Sequence, residues 1–187
     1  MKSLKFYLSS LLLVFGLALI PYKSNAQDVK IMRQERKALE RDKMEANYHA
    51  IDTLLQQKTF VIEADYLQNQ MGNQRPVTSV LNFIMVDGPN AVLQTGSNFR
   101  VGNNGVGGVT AEGKIQQYKV TQDSKNLTYD VSFTVMTNVG IFDVFINISS
   151  DTNARATING LSAGQLTWIG RFQNLYNSDV YKGQQTY

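Results

Sequence analysis

From Thr59 onward, apolar and polar residues alternate with a period of two, which is typical of half-buried β-strands. The clearest run covers residues 127–135, where five apolar residues share one phase and the other phase is polar. Similar runs begin near Phe60, Phe142 and Leu166. Short turn segments connect them, so neighbouring strands should be antiparallel. We predict a mainly β domain, an antiparallel β-sandwich or partly closed β-barrel of about eight or nine strands.

One run departs from simple alternation. Residues 80–86 are apolar on both phases, since Leu81, Phe83 and Met85 oppose Val80, Ile84 and Val86. This pattern indicates a strand that is covered on both faces. We expect the second cover to come from the helix that precedes the β region.

Residues 27–58 contain no Gly or Pro and are rich in residues that favour helices. They predict one N-terminal α-helix over about residues 29–57. Its second half carries a one-sided apolar stripe, and its first half is charged with few apolar positions. We therefore expect the second half to dock on the β domain of residues 59–187, and residues 29–43 to form a solvated extension. The stripe consists of Met44, Tyr48, Ile51 and Leu55.

The chain begins with the three parts of a secretory signal peptide. A positively charged start precedes an apolar run over residues 11–20, and small residues Ser24 and Ala26 precede a cleavage site between Ala26 and Gln27. The run is shorter than the roughly 20 residues of a membrane-spanning helix, and Pro21 ends it. We predict that residues 1–26 are removed and that the protein is exported. The periplasm is favoured over secretion or surface association, and no integral membrane span remains after processing.

The removal of this leader changes the charge of the protein. The full chain has 18 basic and 15 acidic residues, but Lys2, Lys5 and Lys23 lie in the leader. The mature chain is therefore close to neutral, which argues against nucleic acid as a partner. The sequence has no cysteine, so disulfides, thiolate metal sites and cysteine nucleophiles are excluded.

Candidate catalytic groups are sparse. His49 is the single histidine and should be exposed on the helix, so neither a histidine-centred triad nor a zinc site is predicted. Glu63 and Asp65 share one phase of a strand, as paired carboxylates of a hydrolase would, but that phase should face solvent. Asp130 and Asp143 could face one side in the same way. We predict no catalytic residue, no metal and no cofactor.

The remaining candidates are a glycine-rich segment and one misplaced aromatic residue. Residues 102–108 lack the Lys-Ser or Lys-Thr pair and the helix of a phosphate-binding loop, so we predict either a flexible hairpin or a loop over a ligand pocket. Phe145 lies on a polar strand phase and either meets the helix or is exposed. Gly102, Gly105, Gly107 and Phe145 are therefore the candidate ligand or partner surface. The tyrosines of the polar C-terminal tail should be exposed without a role.

Several short segments resemble a family of exported Bacteroidetes proteins classified as domain of unknown function 4251. The resemblance implies the β fold and export past the inner membrane of a Gram-negative cell. That family has no established activity, so it supplies no catalytic residue. The features that carry it are residues 24–27, the charged helix that follows them, and residues 60–65, 112–115 with Tyr118, 131–133 and 169–171.

Three functions remain open. The first is a non-enzymatic binding module for a small apolar or amphipathic ligand or for a protein partner. If the sheet closes, its interior is the expected pocket. The second is an interaction or structural protein that acts through the charged helix of residues 29–43. The third is a carboxylate-dependent hydrolase, which the expected solvent position of Glu63 and Asp65 disfavours.

Overall fold

A computed structural model describes residues 26–97, 104–161 and 164–186. The chain divides into two compact units, Met1–Glu40 and Arg41–Tyr187. One helix, α1 (Ala26–Gln57), contributes to both units. The predicted signal peptide lies outside the described residues except for Ala26. Each side chain from Val29 to Ala46 is exposed.

Nine strands follow α1 within the described residues. They are β1 (Thr59–Asn69), β2 (Gln74–Pro76), β3 (Phe83–Asp87), β4 (Asn90–Thr95), β5 (Val109–Asp123), β6 (Thr128–Thr137), β7 (Gly140–Ser149), β8 (Asn153–Leu161) and β9 (Gly164–Asn174). Two short 3-10 turns, Ser79–Leu81 and Leu175–Asn177, complete the secondary structure that is described.

The strands form a closed antiparallel barrel. Eight of them pair in the order β1-β3-β4-β5-β6-β7-β8-β9, and β9 pairs back with β1. The short β2 adds to β1 beyond the end of β3. This confirms the mainly β, antiparallel prediction, and closure decides between the barrel and the sandwich that the sequence left open.

The seam between β1 and β9 depends on a close backbone approach at Gly170. Gly170 lies opposite Ala64, and a Cβ at Gly170 would lie 1.9 Å from the carbonyl oxygen of Glu63. The rings of Phe60 and Phe172 stack across the same seam, with centroids 5.2 Å apart. A glycine at position 170 therefore lets the first and last strands of the barrel meet.

The second half of α1 packs against the barrel end at which β1 begins. Tyr48, Ile51 and Leu55 are buried in the core, whereas Met44, the fourth residue of the predicted stripe, is 40% exposed. The phenol of Tyr129 donates to the carbonyl of Tyr48, and the phenol of Tyr118 donates to that of Leu55, over 3.2 and 2.9 Å. Backbone carbonyls of the helix are thus held by tyrosines of the barrel.

The C-terminal tail crosses the outer wall of the barrel. Val61, Phe83 and Val92 form a small outer core, against which Met85 and Val180 pack. The expectation that α1 supplies the second cover of residues 80–86 is therefore wrong: Val180 of the tail packs there, because Phe83 and Met85 point out of the barrel.

The tail is also tied to the barrel through its backbone. Tyr181 N donates to the carbonyl of Val80 over 2.9 Å, and Thr186 N donates to that of Thr110 over 2.9 Å. Gly183 N donates to the side-chain oxygen of the fully buried Gln94 over 2.8 Å. Residues 178–186 therefore form a strap, although the side chains of Tyr176 and Tyr181 are exposed as predicted.

Candidate functional site

An apolar pocket opens at the barrel end opposite to the second half of α1. Its walls come from the ends of β4 and β8 and the beginnings of β5, β7 and β9, whereas the second half of α1 packs where β1 and β6 begin. We call this pocket the barrel mouth, and its volume is 110 Å³. Its lining consists of Leu93, Thr95, Val109, Ala111, Phe142, Ile158, Leu166 and Trp168.

The lining of the barrel mouth is suited to binding rather than to chemistry. None of its eight residues carries an acid, a base or a strong nucleophile. Trp168 is held in place, because its indole nitrogen donates to the carbonyl of Gln94 over 3.2 Å. Val109 is 42% exposed at the opening. The mouth can therefore hold an apolar group between an anchored indole and aliphatic side chains.

The described part of the glycine-rich segment is organised by Asn104. Its side-chain oxygen accepts from the backbone nitrogens of Val106 and Gly108 over 3.1 and 2.9 Å. Its side-chain nitrogen donates to the carbonyl of Thr95, a residue of the barrel mouth, over 3.3 Å. The candidates Gly105 and Gly107 adopt positive φ angles of 74° and 75° in this loop. Gly102 lies outside the described residues.

Asn104 did not stand out as a functional or structural residue in the sequence. The signal that could have found it is the Asn-Gly pair at residues 104–105, because asparagine bonds its own backbone two residues on in such turns. Its complete burial shows that the loop is built on this side chain.

Phe145 points outward from the middle of β7 and is 50% exposed, so it does not meet the helix. Phe142 on the same strand is buried and lines the barrel mouth. Phe145 does not line that pocket, and the structure therefore does not combine it with Gly105 and Gly107 in one surface around the mouth.

The carboxylates Glu63 and Asp65 do not form an open acid–base pair. Glu63 was expected at the solvent face but is 8% exposed, since its oxygens accept from Ser178 of the strap and from Gln173. Asp65 lies at a β-bulge and faces Arg171 over 3.6 Å. The strap and the bulge give the two carboxylates different environments.

The other titratable candidates are also separate. Asp130 accepts from Asn147 and Asp143 accepts from Thr134, each over 2.8 Å. Because Asp130 is paired with Asn147, four residues along β7 from Asp143, the two carboxylates lie about 13 Å apart. His49 is exposed on α1. No three His, Asp or Glu residues of the described ranges are grouped to hold a metal ion.

The structure thus defines a closed antiparallel β-barrel with one packed helix, an apolar mouth and a C-terminal strap. The chain belongs to the family described as domain of unknown function (DUF4251), whose model matches residues 42–172. It is similar to the crystal structure of a DUF4251 family protein from Bacteroides eggerthii, with 28% sequence identity and a TM-score of 0.60. That match covers 72% of this chain and 91% of the other chain.

No curated protein matches the chain. The residue segments that resemble the family in the sequence lie, apart from residues 24–27 and the first part of the charged helix, within the matched range. In the described part of the chain, no helix combines the length and the hydrophobicity that a membrane crossing requires.

Proposed function

We propose that this protein is a non-enzymatic binding module that takes the apolar end of a small amphipathic molecule into the barrel mouth. The observation that carries this proposal is the 110 Å³ apolar pocket at the barrel end opposite the second half of α1. The absence of ionisable groups from its eight lining residues supports binding over catalysis.

The volume of the barrel mouth limits what enters it. A closed apolar cavity of about 150 Å³ accepts benzene, so the mouth suits a chain of roughly four to six carbon atoms. The burial of such a chain contributes about 0.8 kcal/mol per methylene group, from which the cost of association is subtracted. Four to six methylene groups contribute about 3 to 5 kcal/mol before that cost is subtracted, so we expect an affinity of about 1 mM or weaker for the chain alone.

Trp168 is the one tryptophan of the chain, so its fluorescence and its indole resonance report on the barrel mouth directly. Titration with 1-hexanol should shift both signals in a saturable manner, and ethanol at equal concentration should not. If 1-hexanol produces no saturable shift, the proposed function is wrong.

Two matched variants locate the binding. Val109→Asp places a charge in the lining of the barrel mouth, where Val109 is already 42% exposed, so folding should survive. Val139→Asp places the same charge in the turn before β7, outside the lining. The first variant should weaken 1-hexanol binding at least about tenfold and the second should leave it unchanged.

We further propose that the leader directs export and is cleaved between Ala26 and Gln27, with the periplasm as the favoured destination. Lys2, the apolar run and Ala26 support this assignment. N-terminal sequencing of the protein isolated from the cell envelope should begin at Gln27. An intact leader in that fraction would contradict it.

A second candidate function rests on the first turns of α1. Val29, Met32 and Leu39 are large apolar side chains, each at least 44% exposed. Such residues on a charged helix support a partner-binding arm. The deletion of residues 27–40 should leave the thermal midpoint of the barrel unchanged but abolish partner binding in a pull-down from the native cell envelope. A large loss of stability would contradict the arm.

A further inference from the structure

A second concave surface lies on the outer wall of the barrel and shares no residue with the barrel mouth. It consists of two grooves of 410 and 340 Å³, which have Asn147 and Arg155 in common. Each volume lies in the range of small-molecule sites, about 300–1,000 Å³. We call this surface the outer groove.

Two β-bulges shape its edges. The pairing of β5 with β6 shifts register between Gln116 and Lys119, and the pairing of β1 with β9 shifts between Ala64 and Tyr66. A bulge bends its strand and redirects the side chains that follow. Lys119 and Tyr66 come directly after these bulges and line opposite ends of the outer groove.

The floor of the outer groove presents an aromatic ring among short polar side chains. Phe145 is 50% exposed and lies between Ser132 and Thr157 in the register of β6, β7 and β8. An exposed ring with polar neighbours offers a flat apolar face beside hydrogen-bonding groups. The hydrogen-bearing face of a sugar ring, bordered by hydroxyl groups, is complementary to that arrangement.

The polar side chains around Phe145 are already held in position. Asn147 donates to Asp130 over 2.8 Å, and the hydroxyls of Thr157 and Thr167 lie 3.2 Å apart. The Arg155 guanidinium donates to the side-chain oxygen of Gln68. Side chains held in this way lose little conformational freedom when a ligand binds.

Two cations of the outer groove have no acidic partner. No carboxylate lies within 4.0 Å of Lys119 or Arg155 in the described ranges, whereas neighbouring Arg171 faces Asp65. Arg155 has five N–H donors and uses one of them on Gln68. Its remaining donors match the two oxygens of a carboxylate.

We propose that the outer groove binds an acidic oligosaccharide. One sugar ring stacks on Phe145, its hydroxyls bond to Asn147 and Thr157, and carboxylates pair with Arg155 and Lys119. Lys119 and Arg155 lie on β5 and β8, three strand spacings or about 14 Å apart, so the ligand contains at least two sugar units.

The closed sheet argues against a peptide that binds by strand addition. An extended peptide binds a sheet by pairing with a free edge. The strands β6, β7 and β8 are each paired on both sides, so the outer groove has no such edge. Recognition must therefore use side chains alone, as the binding of a sugar does.

Calorimetric titration of the protein with tetragalacturonate tests the proposal. Phe145→Ala and Arg155→Gln should each weaken binding at least tenfold. Two control variants should bind as the wild type does: Ile141→Ala, which is exposed on β7 outside the outer groove, and Arg75→Gln on the exposed β2. Fully methyl-esterified tetragalacturonate, which lacks the charges, should bind at least tenfold more weakly than the acid.

The proposal is overturned if the wild-type protein does not bind tetragalacturonate saturably, or if both groove variants bind it normally. Equal affinity for tetraglutamate would also overturn it, since the surface would then select charge and not sugar. Unchanged thermal midpoints would show that the variants are folded. The barrel-mouth variant Val109→Asp should bind tetragalacturonate normally, which separates this site from the proposed function.

Discussion

The phenol of Tyr129 donates a hydrogen bond to the backbone carbonyl of Tyr48 over 3.2 Å. The rings of the same two residues pack with their centroids 4.6 Å apart. The phenol of Tyr48 itself is buried and has no partner among the described residues. Two neighbouring tyrosines thus contribute differently: one bonds the barrel to α1, and the other contributes its ring alone.

Tyr129→Phe and Tyr48→Phe separate these contributions. The loss of the Tyr129 bond should lower the free energy of unfolding by about 1 kcal/mol, because the carbonyl of Tyr48 loses a donor. The removal of the Tyr48 hydroxyl should leave stability unchanged or raise it by about 1 kcal/mol, since a buried unpaired group is removed. Urea unfolding measures both. An equal cost for the two variants would contradict the assignment.

High pH should weaken the packing of α1. Burial raises the pKa of Tyr118 and of Tyr129 above the ordinary tyrosine value of 10.0. The folded protein keeps these phenols protonated, whereas in the unfolded chain they lose their protons above pH 10.0. Their contribution to the free energy of unfolding is therefore fully present below pH 10.0 and declines as the pH rises above that value. The free energy of unfolding, measured against pH, should therefore fall above pH 10.0.

The Tyr118→Phe, Tyr129→Phe double variant is the control for this decline. It should be less stable at neutral pH but should lose less stability above pH 10.0, because the two phenols with raised pKa values are gone. An unchanged alkaline slope in the double variant would show that other groups cause the decline.

Truncation after Asn177 should destabilise the barrel strongly. It removes Val180 from the outer core and leaves the buried side chain of Gln94 without its bonds to Tyr181 and Gly183. We expect a loss of about 3 kcal/mol or more in thermal unfolding. Tyr181→Ala should change stability by no more than about 0.5 kcal/mol, because that side chain is exposed. An unchanged midpoint after truncation would contradict the role of the strap.

Gly170→Ala should open the seam of the barrel. The added Cβ would lie 1.9 Å from the carbonyl oxygen of Glu63, so β1 and β9 must separate. We expect a destabilisation of about 3 kcal/mol or more in urea unfolding. Gly88→Ala is the control: it meets no atom within 4 Å, and its φ of 54° should cost only about 1 kcal/mol. Equal costs would argue against a tight seam.

Features that depend on neighbouring residues can be predicted from the sequence, whereas features that depend on residues far apart in the sequence cannot. The inward phase of β6 and β7 was predictable, because alternation from Tyr129 to Val135 is a local pattern. The burial of Glu63 was not predictable from the sequence, since its partner Ser178 is 115 residues away in the sequence. The cover of Phe83 by Val180 escaped prediction for the same reason.

The same distinction between local and long-range information applies to the candidate site. The exposure of Phe145 is predictable, because one aromatic residue on a polar strand phase is visible in the sequence, and the structure shows this side chain exposed. The sequence predicts a pocket in the barrel interior only on the condition that the sheet closes. The lining residues Leu93, Phe142 and Trp168 were visible as apolar strand positions, but nothing local shows that they meet.

The sequence by itself determined the secondary structure class, the antiparallel connections and the buried phase of the main strands, because these depend on residue spacing and on turns between neighbours. Tertiary structure decided closure, the barrel mouth and the cover of the outer wall. Closure rests on the pairing of β1 with β9, about a hundred residues apart, and on the backbone approach at Gly170. Such contacts depend on the geometry of the whole sheet, which no local pattern of residues encodes.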